Sequence, residues 1–563
     1  MIRRIYGKIV LPQEYINTSY WSILASMCII FMIVYILTWM ISRCRKTWGR
    51  ILAYTILLTL FSVDIFLLER FGMAISPTML ILLAETNRQE SMEFIHTFLG
   101  WKDNQVVYSV LLFILILIII LENTYRPIFY GALRKITHRQ KGLLAVLSIF
   151  TLCCLSIGAW YSKTYVKMLQ CDDTDALTLW ASESPCDPLT NTFYAIYGIH
   201  LSKTEITKAV ENSLSLHDDI RCNEDSLILI FVIGESYIKQ HATVYGYGLN
   251  TTPNLYREQE CGNLYVFTNV CAPFNQTTLV MKNLLSCNSI SDGESWSSMP
   301  YMPGVFNKGG FDVLFWDNQR DNNSVFEFTL NKYIYNDRLA TFYTDTNHQP
   351  ERYDGDLIAS FKARNDRNDG PLQFVMFHLW GQHLDPEQRY PQTSGFKHFT
   401  ADSINRTDGY LMTEMKQTIA HYDNATLYND YVINEIFNLF KNKNAALVYL
   451  SDHGEEVYDY RDNIGRRSGG MNDNILKYQY AVPFMIWFSS AYQERHPETM
   501  EAVKGALNRP FMTDNVCQVL FHLGGIQSKY YKRERDLLSN QYRSPKRLVN
   551  RTIDYDRIIN VNH

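Results

Sequence analysis

The sequence predicts an N-terminal α-helical transmembrane bundle followed by an α/β/α domain with a mostly parallel sheet. Three observations lead to this prediction. Long apolar runs are confined to the first 162 residues of a 563-residue chain whose mean hydropathy is only −0.16. From about Asp225 onward, short apolar runs alternate with helical stretches, as in a parallel sheet covered on both faces. The chain is also longer than one compact core usually allows.

Four apolar runs are candidate membrane helices, because a span needs about 17–25 mostly apolar residues. They cover residues 22–41, 51–68, 106–121 and 143–162. Four buried core helices of a soluble domain are the alternative, which the lengths of the runs and the charges between them disfavour. The second run contains Asp64, which is expected either to face the interior of the bundle or to lie near the membrane interface.

The charges between the runs predict how the chain is oriented in the membrane. Short loops rich in Lys and Arg stay in the cytoplasm. The loops with this composition carry Arg43, Arg45, Lys46 and Arg50, and Arg126, Arg134, Lys135, Arg139 and Lys141. The acidic loop 70–105 and everything after residue 162 are then external. The N-terminus would be external too, although it carries Arg3, Arg4 and Lys8. It is expected to be an external amphipathic segment or the remainder of a chain whose first helix is missing.

Overall charge and cysteine content narrow the possibilities further. The net charge of −4 and the isoelectric point near 6.4 argue against a nucleic-acid-binding protein. Seven of the 11 cysteines fall in the external part, where disulfides can persist. The spacing favours the pairs Cys171–Cys186 and Cys271–Cys287, although sequence alone does not fix the connectivity. None of the cysteine spacings is typical of a structural zinc site.

Polar side chains follow four of the five predicted strands of the external domain. The apolar runs are Leu227–Ile233, Val313–Phe315, Phe374–Phe377, Ala446–Leu450 and Val482–Trp487. Ligands of parallel sheets bind beyond the carboxyl ends of the strands. The residues that follow the first four runs are, in order, Glu235; Asp317, Asn318 and Gln319; His378 and His383; and Asp452 and His453.

Three of these residues together indicate a divalent metal such as zinc. Glu235, Asp452 and His453 supply two carboxylates and one imidazole, and they leave one coordination position open for a nucleophile or a substrate oxygen. Each has an ordinary alternative, since an Asp after a strand is often a helix N-cap and a single His is often structural. His383 is expected to support the site or to bind substrate.

The best candidate for a nucleophile lies in the segment from Cys271 to Cys287. A metal lowers the pKa of a bound hydroxyl, and a helix N-terminus favours the anion of a phosphoryl group. Thr277 and Thr278 both stand where a helix is expected to begin. Their chemistry does not separate them, and the alternative is that both simply start the helix.

At this point the sequence resembles a known family, the bacterial phosphoethanolamine transferases that modify lipopolysaccharide, which include the colistin-resistance enzymes. The likeness covers nearly the whole chain and is greatest to the branch that acts on the lipopolysaccharide core. The matching motifs are Val-Ile-Gly-Glu-Ser, Tyr-Gly-Tyr, Thr-Thr-Pro, Phe-Thr-Asn-Val, His-Leu-Trp-Gly-Gln-His, Tyr-Asp-Asn-Ala-Thr-Leu-Tyr-Asn-Asp and Leu-Ser-Asp-His-Gly-Glu-Glu-Val-Tyr-Asp. Together they are specific, whereas Asp-His-Gly alone occurs throughout sulfatase-like and alkaline-phosphatase-like proteins.

The resemblance implies a zinc enzyme on a sulfatase-like and alkaline-phosphatase-like fold. Glu235, Asp452 and His453 would hold zinc, with Thr277 as nucleophile and fourth ligand. The residues implied to bind substrate are His383, Gln319, and Thr86 and Glu90 in a segment lining the lipid-substrate cavity. Phosphoethanolamine would pass from phosphatidylethanolamine to a core sugar or to lipid A. The implied protein is a monomer in the bacterial inner membrane with a periplasmic catalytic domain.

The expected organisation is a transmembrane domain over residues 1–165, a linker with external helices over 166–224 and a catalytic domain over 225–563. Two departures from the family stand out. Relatives usually have five membrane helices, and many carry a further histidine where Asp459–Ser468 has none. Gln319 and Arg320 replace a Ser and a Lys of the lipid A enzymes, which weakens a lipid A assignment.

Two rival functions remain open at this stage. One is a different phosphoryl or sulfuryl enzyme on the same fold, such as a phosphoglycerol transferase or a sulfatase. The segment that begins at Cys271 lacks the Arg of the sulfatase motif Cys/Ser-x-Pro-x-Arg, which disfavours a sulfatase. The other rival is a non-catalytic membrane sensor, which the complete set of matched ligands disfavours.

Overall fold

A computed structural model defines the fold and divides it into two compact units. It describes residues 20–44, 46–71, 74–77, 79–80, 83, 91–92, 94–95, 99, 101–126, 128, 138–169, 171, 173–175, 177–178, 188–216, 219–319, 339, 342–344, 351–364, 370–383, 385–392, 395–467 and 471–560. Among the described residues, the N-terminal unit extends to Ser202 and the C-terminal unit begins at Lys203.

The N-terminal unit is helical. Its helices are α1 (Tyr20–Arg43), α2 (Thr47–Arg70), α3 (Trp101–Ile120), α4 (His138–Met168) and the first half of α5 (Pro188–Leu214). The four predicted apolar runs lie in α1 to α4, with α3 continuing as a π-helical turn. Within the described residues, three stretches are long and apolar enough to cross a membrane: Thr47–Arg70, Tyr108–Tyr125 and Lys141–Trp160. Helix α1 contributes the shorter apolar stretch Met27–Arg43.

The helices of this unit present apolar side chains outward and keep charges paired. On α4, Val146 is 63% exposed, as expected for a surface that faces lipid rather than water. Glu122 accepts hydrogen bonds from Arg50 at 2.8 Å and from Arg126 at 2.9 Å. Asp64 is buried and accepts a hydrogen bond from the backbone N–H of Ile75, which supports the interior alternative for this carboxylate.

The C-terminal unit is built on a seven-stranded sheet. The strands are β1 (Leu227–Gly234), β2 (Leu264–Phe267), β3 (Asp312–Asp317), β4 (Phe342–Tyr343), β5 (Leu372–His378), β6 (Ala445–Ser451) and β7 (Phe484–Phe488). Their order across the sheet is β2-β7-β6-β1-β5-β3-β4. The pairs among β6, β1, β5, β3 and β4 are parallel, whereas β7 is antiparallel to both neighbours. The mostly parallel sheet of the prediction is therefore confirmed.

Both faces of this sheet are buried, which explains the continuous apolar strands. Alternate residues of β1 enter two different cores, with Phe231 in one and Val232 in the other. Helix α10 (Thr413–Phe440) covers the second face, where Val432 and Ile436 lie one turn apart in the same core. The other described α-helices of six or more residues in this unit are α6 (Pro253–Glu260), α7 (Thr277–Leu284), α8 (Met302–Lys308), α9 (Asp354–Ala363), α11 (Ser490–Arg495), α12 (Pro497–Lys504), α13 (Val516–Leu523) and α14 (Tyr555–Asn560).

Short two-stranded ladders complete the C-terminal unit. They are Arg221–Cys222 with Ile526–Gln527, Val270–Cys271 with Phe511–Met512, Glu456–Val457 with Ile464–Gly465, and Leu548–Val549 with Ile553–Asp554. The second ladder is parallel and the other three are antiparallel.

The predicted disulfide Cys271–Cys287 is wrong, because both thiols are free and buried. Cys271 is fixed in its ladder opposite Met512, and its thiol accepts a hydrogen bond from Arg547. Helix α7 then carries the chain away, and the thiol of Cys287 contacts that of Cys517 instead. The other predicted pair, Cys171–Cys186, lies partly outside the described residues, since Cys186 is not among them.

Candidate metal centre

Glu235 stands in a sharp turn that directly follows strand β1. The next residue, Ser236, has a positive φ of 56°, an unusual conformation for a residue with a side chain. Its hydroxyl donates to Glu235 Oε1 at 2.6 Å, and its backbone N–H donates to Asp452 Oδ1 at 3.1 Å. The backbone carbonyl of Glu235 accepts from the N–H of Gln382 at 3.0 Å. Ser236 therefore holds the Glu235 carboxylate, and the loop that carries Gln382 holds the Glu235 backbone.

Asp452 and His453 follow the neighbouring strand β6. The backbone N–H of Asp452 donates to Gly234 O at 3.0 Å, which ties the ends of β1 and β6 together. The Nδ1 of His453 donates to Gly454 O at 2.9 Å, so its Nε2 carries the lone pair. That nitrogen lies 2.9 Å from Asp452 Oδ2 and 3.3 Å from Glu235 Oε1. All three side chains are fully buried.

The hydroxyl of Thr277 lies beside the side chains of Glu235 and His453. Thr277 is the first residue of α7, where the backbone N–H groups of a helix favour negative charge. Its hydroxyl donates to Glu235 Oε2 at 3.1 Å and lies 3.2 Å from His453 Nε2. The geometry thus groups Thr277 with the three predicted metal ligands, where the chemistry of the residues had left Thr277 and Thr278 unseparated.

These residues fit a divalent metal. The ligand atoms of Glu235, Asp452 and His453 lie within 4.8 Å of one another. Asp452 Oδ2 is buried and receives no hydrogen bond, which is costly unless a cation occupies the space beside it. Burial, together with the nearby Arg466, lowers the pKa of His453 to about 3, so the imidazole is neutral as a metal ligand must be. Two oxygens, one nitrogen and a hydroxyl form a set that suits zinc.

Two histidines beside this set have opposite electrostatic surroundings. His383 is half-buried, its buried Nδ1 has no hydrogen-bond partner among the described residues, and desolvation lowers its pKa to about 3. His378 is buried, but Asp317 accepts from its Nδ1 at 2.9 Å and raises its pKa above the ordinary value. His383 is therefore neutral, whereas His378 is the one that favours a proton.

Gln319, another predicted site residue, lies against the ligand set. Its side-chain amide donates to Glu235 Oε2 at 3.2 Å and to Leu379 O at 2.7 Å. The remaining predicted substrate residues, Thr86 and Glu90, lie outside the described residues. Their roles stay predictions.

Sequence reasoning missed three residues that line the site: Ser236 and Arg466, which contact the candidate ligands, and Glu455, which contacts Ser236 and Arg466. Ser236 was visible only as part of the Gly-Glu-Ser motif, and nothing in the sequence indicated that its hydroxyl would bond Glu235. Glu455 lies two residues after His453, is 4% exposed, and its Oε2 is 3.5 Å from the Ser236 hydroxyl. Arg466 reaches the site from a separate hairpin, which residue spacing does not reveal.

The fold and the buried group of polar residues at the strand ends are typical of the sulfatase family. The sulfatase family matches residues 228–516, more than half of the chain, and the chain belongs to it.

Among individual proteins, the chain is similar to named phosphoethanolamine transferases. It is 24% identical to EptC of Escherichia coli K12 over 510 residues, which cover 87% of this chain and 83% of that protein. It is 24% identical to CptA of Salmonella typhimurium over 508 residues, with the same coverage of 87% and 83%. The predicted resemblance and the prediction of an enzyme are thereby confirmed.

Two solved structures agree with this placement. The zinc complex of the C-terminal periplasmic domain of Escherichia coli EptC is 26% identical, with a TM-score of 0.51 over 61% of this chain and 96% of that one. The integral membrane protein EptA of Neisseria meningitidis is 17% identical, with a TM-score of 0.57 over 88% of this chain and 87% of that one. The second likeness shows the fold alone. Together they fit the predicted inner-membrane protein with a periplasmic catalytic domain.

Proposed function

We propose that this protein is a zinc-dependent transferase that moves phosphoethanolamine from phosphatidylethanolamine to lipopolysaccharide. The observation that carries the proposal is the Thr277 hydroxyl, which lies 3.1 Å from Glu235 and 3.2 Å from His453 within a buried set of metal ligands. The similarity to transferases that bear this name supports the choice of transferred group. The acceptor is a core sugar or lipid A.

The reaction has two steps that exchange one ester for another. In the first, Thr277 Oγ forms a bond to the phosphorus of phosphatidylethanolamine, the bond from phosphorus to the glycerol oxygen breaks, and diacylglycerol leaves with the proton that threonine gives up. In the second, the oxygen of an acceptor hydroxyl or protonated phosphate forms a bond to phosphorus, the bond from phosphorus to Thr277 Oγ breaks, and the proton of the acceptor passes to Thr277. Zinc held by Glu235, Asp452, His453 and Thr277 would supply Lewis-acid polarisation of the hydroxyl and the phosphoryl oxygens.

The protein's own residues orient the nucleophile and handle the proton. Glu235 accepts the hydrogen bond of the Thr277 hydroxyl and so directs the oxygen lone pairs. His378, backed by Asp317, is suited to hold a proton near the phosphoryl group and to deliver it to the departing glycerol oxygen. His383 is neutral and uncharged, so it can accept or donate a hydrogen bond to substrate without repelling the ethanolamine ammonium.

Replacing the nucleophile tests this function. We expect Thr277→Ala to lower transfer from labelled phosphatidylethanolamine by about 10³-fold or more, because the covalent route is lost. Intact mass spectrometry of the wild type should show a phosphoethanolamine adduct on the Thr277 peptide that the variant lacks. Thr278→Ala is the matched control and should retain most activity.

Three results would contradict the proposal in different ways. Undiminished transfer by Thr277→Ala would show that Thr277 is not the nucleophile. Transfer of glycerophosphate from phosphatidylglycerol, without transfer from phosphatidylethanolamine, would show that phosphatidylglycerol is the donor. No transfer by the zinc-loaded wild type in either assay would favour the sensor alternative.

A further inference from the structure

Arg466 reaches the metal ligands from a hairpin that lies outside the main sheet. The ladder of Glu456–Val457 with Ile464–Gly465 turns the chain back toward the site, and Arg466 is the next residue. Its Nη1 donates to the backbone oxygen of Asn275 at 3.2 Å and contacts Nε2 of His453. The guanidinium thus lies beside the His453 nitrogen that faces the metal position. Its other partner, Asn275, is two residues before Thr277 in the nucleophile segment.

A buried carboxylate fixes the direction of this guanidinium. Glu455 Oε2 lies 3.4 Å from Arg466 Nε, and the Glu455 side chain is 5% exposed against 24% for Arg466. The carboxylate therefore lies beneath the guanidinium, on the protein side. Among the residues that the structure describes, Arg466 Nη2 has no hydrogen-bond partner, which leaves donor capacity for a ligand.

The local charges show why a cation is needed there. The carboxylates of Glu235 and Asp452 would neutralise a divalent metal, Glu455 pairs with Arg466 and lies outside the group of candidate ligands, and His383 adds no charge because desolvation lowers its pKa to about 3. A phosphodiester that arrives between the metal and Thr277 brings a negative charge that grows on the phosphoryl oxygens during transfer. A guanidinium is planar, always charged and able to bind two phosphoryl oxygens at once.

We infer that Arg466 binds the non-bridging phosphoryl oxygens of the group carried by Thr277, and that Glu455 is the residue that positions its guanidinium. This inference rests on the proposed function and deepens it. It assigns the recognition of the phosphoryl group to a residue of the hairpin rather than to the strand ends that supply the metal ligands.

Protection from chemical modification tests the inference in the wild-type, full-length protein. Phenylglyoxal modifies accessible guanidinium groups, and the chain offers a matched control on the same hairpin. Arg461 is 28% exposed, close to the 24% of Arg466, but it pairs with Glu456 instead of facing the metal ligands. We expect inorganic phosphate to slow modification of Arg466 in the zinc-loaded protein by about 10-fold or more, and to leave Arg461 unchanged, as read from the peptide masses.

Substitution supplies a second test. Arg466→Gln should slow formation of the Thr277 adduct by on the order of 100-fold, the usual cost of one lost charge-stabilising donor. Added guanidinium ions should restore part of that rate. Arg461→Gln should form the adduct within a few-fold of the wild-type rate and should not respond to guanidinium. Glu455→Gln should slow the adduct less than Arg466→Gln, because the guanidinium stays but is less well oriented.

The zinc content of every variant, measured by elemental analysis, separates these effects from loss of metal. Equal modification of Arg466 with and without phosphate overturns the inference, and so does a wild-type adduct rate in Arg466→Gln. If Arg466→Gln fails to fold or to hold zinc, the protection experiment decides alone. If the wild type forms no adduct from phosphatidylethanolamine, the proposed function fails, whereas protection of Arg466 by phosphate would still support the phosphoryl site.

Discussion

At the scale of single residues, His241 shows how the C-terminal unit secures the neighbourhood of its site. Its Nδ1 lies 2.7 Å from Asp423, and its Nε2 lies 2.8 Å from Asp459. Both ring nitrogens are occupied, so this histidine ties the turn after β1 to α10 and to the hairpin of Arg466. Burial disfavours its charge, but the two carboxylates outweigh burial and raise the pKa of His241 to about 10.

This pair of contacts predicts a pH dependence of stability. The pKa of histidine in the unfolded chain is about 6.5, so the folded state binds the proton more tightly. The stabilisation is full below about pH 6.5 and is lost as the pH rises toward about 10. We expect the free energy of unfolding to fall over that window, as measured by urea denaturation of the zinc-loaded protein.

The variant His241→Gln tests whether His241 causes this pH dependence of the free energy of unfolding. It should cost about 3–5 kcal/mol at pH 6.5, because it leaves two buried carboxylates without their cation. It should also flatten the dependence between about pH 6.5 and 10. A wild-type slope retained in the variant would show that other groups carry the effect.

At the scale of elements, the loop after β5 supports the metal ligands through a close backbone approach. Gly381 has a positive φ of 50°, and a Cβ at this position would lie 2.6 Å from Glu235 O and 2.9 Å from Glu235 N. Asp354 of α9 holds the loop in place by accepting from the N–H groups of Trp380 at 2.8 Å and Gly381 at 2.9 Å. Glycine is therefore required by both conformation and space.

Gly381→Ala should destabilise the protein by about 2 kcal/mol or more. Alanine is strained in the left-handed backbone conformation of this position, and its Cβ would also clash with the backbone of Glu235. The variant should also weaken zinc binding, because the clash falls on Glu235. Gly395→Ala is the control, since nothing lies within 4 Å of a Cβ there. Thermal unfolding and competition with a zinc chelator measure the two effects. Equal behaviour of the two variants would refute the argument.

At the scale of the whole molecule, the C-terminal unit carries its own core. Three side chains from the second half of α5 are part of that core: Ile206, Ala209 and Val210. In addition, Trp296 Nε1 donates to Glu205 at 3.3 Å. The core therefore includes a piece of the helix that begins in the N-terminal unit, and it extends upstream of the predicted domain start at residue 225.

A fragment that starts at Lys203 should consequently unfold cooperatively on its own, whereas one that starts at Arg221 should be less stable. We expect a difference of about 3–5 kcal/mol, since burying one large aliphatic side chain contributes about 1.5–3 kcal/mol. Urea denaturation of the two fragments measures it. Equal midpoints would show that the end of α5 adds nothing to the core.

The parts of this molecule that could be predicted from sequence are those set by local pattern. Asp452 and His453 follow a continuous apolar strand, and strand ends in a parallel sheet converge, so their meeting with Glu235 was foreseeable. The edge strand β2 was missed because it has only four residues. Thr277 was separated from Thr278 only by the family resemblance.

Other features depend on how distant segments return to the site. Arg466 arrives because a two-residue ladder folds the hairpin back, and no spacing rule anticipates that. The Cys271–Cys287 prediction failed for the same reason. Their separation along the chain allowed a bond, but the ladder with Phe511–Met512 and helix α7 direct the two thiols to different partners.

The candidate metal ligands and Thr277 come from widely separated positions, residues 235, 277, 452 and 453. No partial product of synthesis or translocation holds all four, because the last two join the first only when β6 lies beside β1. Under the proposed function, tight zinc binding would therefore report that the whole domain has been synthesised and folded.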